Sequence, residues 1–112
     1  MPAEIFLATE PVTATAVSKQ PLTQAIVVTR YKSLALLLRV LATVGGNVTV
    51  RIITGMQNDT YDGWVVLGTY TPTAGPANEK VDMSNALKYI LWEVSAIGTS
   101  ATFTVQGIAR EN

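Results

Sequence analysis

The chain has 112 residues with eight basic and eight acidic side chains, and it contains neither cysteine nor histidine. That length fits one domain with room for a core. Missing cysteine rules out disulfides and thiolate metal sites, and missing histidine rules out Ser–His and Cys–His nucleophilic systems and imidazole metal sites. The basic residues are scattered, so no stripe is available to track a phosphate backbone, and nucleic acid is not an expected partner.

The start, MPAEIFLATEP, carries Glu4 and Glu10 where a secretion leader needs positive charge and a long apolar run, so no signal peptide is expected. Residues 1–20 are rich in Ala, Thr, Pro and Val and end at Pro21. They read as an extended N-terminal arm lying on a neighbouring subunit, or as an ordinary edge strand of the same domain. β-Branched residues and prolines disfavour helix there. Residues 21–112 read as the domain proper.

Leu22 to Tyr31 (LTQAIVVTRY) is strand-like. Leu34 to Thr54 follows as a long apolar strand, a Gly45-Gly46-Asn47 turn and the alternation Val48, Val50, Ile52, which predicts a β-hairpin. Leu34, Leu36, Leu38 and Val40 share one face. The other face is also largely apolar, which predicts cover on both sides for part of its length. Arg39 interrupts that stretch, which is too short to span a bilayer, so no membrane is expected as a partner. Gly55 to Gly63 (GMQNDTYDG) is turn chemistry. Trp64 to Tyr70 reads as a strand, Thr71 to Asn78 as a loop, and Glu79 to Met83 as a short strand. Lys88 to Ala109 repeats the earlier pattern: an apolar strand with one central charge, Glu93, then Gly98-Thr99-Ser100, then a Thr/Val strand. It predicts a second hairpin, with Gly107 as a bulge or close-packing point.

Together these elements predict an all-β fold: a single antiparallel β-sandwich, jelly-roll-like, of roughly 7–8 strands. Trp92 and Phe103 are expected in the core, and Trp64, opening its strand, is expected there too or beside the acidic loop. Arg39 and Glu93 hold matching places in the two repeats and could pair across adjacent strands, with Arg51 joining them. Such a pair reads as a solvated cross-strand contact or as an interface charge pair.

Paired carboxylates are the remaining route to chemistry. Asp59 and Asp62 share one loop, with Asp82 as a third acid that could approach it. Acids so spaced are more often turn formers than a catalytic pair, and their spacing does not match an EF-hand calcium loop. No catalytic residue, cofactor or metal is expected, so the chain does not read as an enzyme. Tyr61, Trp64 and Tyr70 around that loop could form an aromatic platform for sugar. Asp59, Tyr61, Asp62, Trp64 and Tyr70 are therefore the candidate ligand or interface residues.

Only 14% of the residues are charged, against about 25% in typical soluble domains. This fits a surface covered in the working state, or a compact Thr-rich domain. From Arg30-Tyr31, through Val48, Val50 and Ile52, Asp62-Gly63-Trp64 and Leu67-Gly68, to Gly98-Thr99-Ser100 and Thr102 to Val105, the chain resembles small β-sandwich accessory virion proteins of tailed bacteriophages. It departs in its loop, where Asp62-Gly63 directly precedes Trp64 instead of the nearer-usual Ser-x-Asp-Gly-x-x-Trp. The resemblance implies a virion structural protein, most simply a capsid decoration protein that stabilises the assembled shell. It would contact the major capsid protein or other virion proteins, as a homo-oligomer. A carbohydrate-binding module on capsid or tail, or a tail or neck component, is the alternative.

Overall fold

Alternating side chains bury one face of each long strand, and the structure, a computed structural model, stacks those faces as two antiparallel sheets. It describes residues 3–111. Met1 and Pro2 of the expected N-terminal segment and Asn112 of the polar tail lie outside the described residues.

The strands are β1 (Ala3–Ala14), β2 (Ser18–Lys19), β3 (Ile26–Val27), β4 (Ser33–Val44), β5 (Thr49–Gly55), β6 (Val65–Thr69), β7 (Ala77–Ser84), β8 (Tyr89–Ala96) and β9 (Ser100–Arg110). The first sheet has the order β1-β9-β4-β7 and the second β2-β8-β5-β6, with β3 also on β8. Pairing is nested from the outside in: β1 with β9, β2 and β3 with β8, β4 with β7, β5 with β6. This is one long hairpin rolled around its core, a jelly roll.

The two predicted hairpins are not hairpins. β4 lies in the first sheet and β5 in the second, and likewise β9 and β8. Each glycine turn therefore carries the chain across the core as an arch. Alternation shows that a strand has a buried face; it does not distinguish strands lying side by side from strands facing one another. The arches interlock, β4 pairing with β9 and β5 with β8. Their turns touch where the Thr99 N–H donates to the Val44 carbonyl at 2.8 Å. Gly45 sits at φ +80°, and a Cβ there would lie 2.5 Å from Thr99 Oγ1. Both its backbone conformation and its space require glycine.

The core joins Leu34, Leu36, Leu38 and Val40 of β4 to Val50 and Ile52 of β5 and Phe103 and Val105 of β9. Each such fully buried side chain contributes about 1.5–3 kcal/mol. Trp92 meets Phe103 edge-on across the sheets, ring centroids 5.2 Å apart. Gly107 is the close-packing point: a Cβ there would fall 2.0 Å from the Ala35 carbonyl oxygen.

Leu22 to Tyr31 is mostly not strand. Pro21 opens a short 3-10 turn over Leu22–Gln24, and only Ile26 and Val27 join β8. Just upstream stands buried Gln20. Its Nε2 donates to the Leu7 carbonyl at 2.8 Å, and its Oε1 accepts from the Trp92 N–H. This side chain ties the two sheets together and fixes where the chain leaves β2. The outer face of β4 is only half covered, with Leu37 partly buried and Arg39 exposed.

Candidate functional site

The outer face of the second sheet is not an ordinary solvated face. Ile53 and Leu91 belong outside the central core, yet are 3% and 0% exposed. The loop between β5 and β6 folds over them. At one end the Trp64 ring lies on Gly55, where a Cβ would be 2.4 Å from it, and the Trp64 indole N–H donates to the Gln57 carbonyl. At the other end the Tyr61 hydroxyl donates to the Gln20 carbonyl at 2.6 Å. Gly55 ends β5 and Gln20 follows β2, so the loop bridges β8, which runs between those strands.

Beside this flap lies a cleft of about 490 Å³, lined by Val17, Ser18, Lys19, Arg51, Tyr61, Glu93, Val94 and Ser95. Its floor is a charge ladder across three strands. Glu93 on β8 stands opposite Lys19 on β2 and opposite Arg51 on β5. The Arg51 Nε–H donates to Glu93 Oε1, and Lys19 Nζ lies 3.5 Å from Glu93 Oε2. The Glu93 side chain is 10% exposed, against 35% for Arg51 and 43% for Lys19. The carboxylate is thus the buried member, held between two cations that reach solvent. Lys19 Nζ also sits 5.3 Å from the centre of the Tyr61 ring, within cation–π range.

The expected Arg39–Glu93 pair does not form. Arg39 is on β4, in the other sheet, with Asn78 and Thr104 as its cross-strand neighbours. Arg51 is the arginine that meets Glu93. Tyr70, expected on an exposed platform, is fully buried, and its hydroxyl donates to the Leu36 carbonyl at 2.9 Å. Burial, with Glu79 as a lesser cause, pushes its phenol pKa well above the ordinary tyrosine value. Trp64 is half-buried where its ring lies on Gly55, outside the core formed around Trp92 and Phe103. Of the aromatic platform, Tyr61 remains, and it lines the cleft.

Asp59 and Asp62 are exposed loop residues, and the Asp62 N–H donates to Thr60 Oγ1 as in a turn. Asp82 is on β7 in the first sheet, where it pairs with Lys80 at 3.2 Å. Among the described residues, no group of three acids gathers that could hold a metal ion. At the rim of the first sheet, the hydrogen bond from Arg30 holds the Glu111 carboxyl below its usual range. Lys19, Ser18 and Ser95 escaped the sequence reading, because no local pattern joins them. The register of β2 on β8 brings them together.

No protein-family model matches the chain, and neither does any curated protein. Solved structures do match in fold. The SPBc2 prophage-derived protein YomS aligns with a TM-score of 0.58 and 16% identity, over 97% of this chain and 94% of that one. A family 29 carbohydrate-binding module aligns at 0.55 and 9% identity, over 100% and 93%. A protein of the disulfide-linked pili of Bacillus endospore appendages aligns at 0.51 and 13%, over 100% and 88%. The likeness therefore extends over the whole sandwich.

Proposed function

We propose that this chain is a non-enzymatic structural protein of a phage virion, a decoration protein that binds the assembled shell and stabilises it. One observation carries the reading: the molecule guards three of its sheet edges and leaves the fourth bare. β1 has Glu4, Glu10, Pro11 and two register shifts; β7 has Glu79, Lys80 and Asp82; β2 and β3 are two residues each. These are the usual protections against edge-to-edge pairing. β6 reads VVLGT, without charge or proline, and Val65 and Val66 are 55% and 45% exposed. Such an edge suits a strand or apolar patch supplied by a neighbour in an array. The low charge content and the whole-chain likeness to a prophage-derived protein support the same reading. Many weak contacts per shell would then add through multivalency.

The test is co-sedimentation of purified chain with shells of its own phage that lack it. The chain is expected to sediment with them and to raise their melting temperature, and Val66→Lys is expected to abolish both effects. Absence of binding by the unaltered chain would refute the reading.

A second reading, binding of carbohydrate at the virion surface, is favoured by one feature of the cleft. Tyr61 is 37% exposed there beside Lys19 and Ser18, which gives an aromatic wall next to hydrogen-bonding groups.

A further inference from the structure

We infer that the cleft on the second sheet is a site for an acidic saccharide, one whose sugar ring carries a carboxylate. The inference rests on the carbohydrate reading of the cleft and specifies its ligand; the shell-binding reading is independent of it.

The volume, about 490 Å³, lies within the range of small-ligand sites and would hold two to three sugar units at most. The charges decide the class. Two cations and one carboxylate leave the floor with an excess of one positive charge. Glu93, nearly buried, is already held by both cations. Arg51 spends its Nε–H on Glu93, and among the described residues no acceptor meets its two terminal nitrogens. A guanidinium with free terminal N–H groups at the wall of an open cleft matches a carboxylate in fork-to-fork geometry. Glu93 orients that fork by holding its inner edge, as a positioning residue.

The remaining wall suits a sugar better than a bare anion. Tyr61 offers ring surface, and its hydroxyl is anchored to the Gln20 carbonyl, so the ring is fixed in place. Ser18 adds a hydroxyl at the rim. A phosphate or sulfate would use the cations alone and leave the aromatic wall idle. A neutral sugar would use the wall and leave the excess charge idle. An acidic saccharide uses both.

The test is titration of the isotope-labelled chain with trigalacturonate, with a neutral trisaccharide, maltotriose, and with inorganic phosphate, read by amide shifts and calorimetry. Trigalacturonate is expected to shift the amides of Ser18, Lys19, Arg51, Tyr61 and Ser95, and to bind about tenfold or more tightly than maltotriose in low salt. That margin is expected to shrink at high salt, because the rim cations face solvent. Arg51→Gln is expected to erase the margin, and Tyr61→Ala to weaken both saccharides, each variant being checked for an unchanged amide spectrum away from the cleft. Equal binding of the two saccharides would overturn the acidic class while keeping the carbohydrate reading. Binding of neither would overturn both. Phosphate binding as tight as trigalacturonate would overturn the saccharide and leave a simple anion site.

Discussion

Arg39 and Glu93 sit at matching places in two similar stretches of chain, and the fold gives them opposite fates. Arg39 is exposed on the first sheet between Asn78 and Thr104, neutral neighbours on either side. Glu93 is 8% exposed on the second sheet, between Lys19 and Arg51 and beside the flap over β8. What surrounds a charge is set by the strands that flank it, and flanking strands are a property of topology. The first sheet's outer face carries Arg39 beside neutral neighbours and, on its edge strand β7, the exposed Lys80–Asp82 pair. The second sheet's outer face carries a ladder of three charges along the floor of a cleft.

Substitutions can break that comparison. Glu93→Ala should produce the largest loss, about 2 kcal/mol, because it strands the partly buried Arg51 without its acceptor. Chemical denaturation would read it as a lower midpoint at unchanged slope. A second substitution probes Tyr70, buried where Tyr61 is exposed. Tyr70→Phe should cost about 1 kcal/mol near neutral pH, the worth of the bond to the Leu36 carbonyl. It should also change the alkaline limb. The folded chain keeps a proton that the unfolded chain releases near pH ~10, so the stabilisation is complete below that pH and is lost as pH rises beyond it. The unaltered chain and Tyr70→Phe should therefore converge in strong alkali. Parallel curves there would show that Tyr70 is not protected by burial. The smallest effect belongs to Arg39→Ala, expected within about 0.5 kcal/mol of the unaltered chain by the same measurement. A loss comparable to that of Glu93→Ala would erase the distinction between the two faces.

Much of the sandwich was legible because burial leaves a period of two in the sequence. β4 alternates Leu34, Leu36, Leu38 and Val40 inward, and Phe103 and Val105 do the same on β9. Gly107 was legible as a close-packing point. The lateral order of strands was not, since a strand with an apolar face is equally content beside its successor or across from it. That one ambiguity accounts for the misplaced Arg39–Glu93 pair and for both arches read as hairpins. Tyr70 and Tyr61 show the same limit in side chains. A tyrosine near a loop can anchor a core through its hydroxyl or line a cleft, and only the path of the backbone that carries it decides which.

By itself the sequence determined the chemistry that is impossible, through its missing cysteine and histidine, and the layered all-β class, through its alternation. The tertiary structure alone decided that Lys19, Glu93 and Arg51 form one ladder, that the loop over residues 56–64 crosses β8, and that β6 is an edge strand without charge or proline. Alternation is local, fixed by each residue's neighbours along the chain. A cleft is made by residues distant in sequence, and their meeting depends on the register of strand against strand.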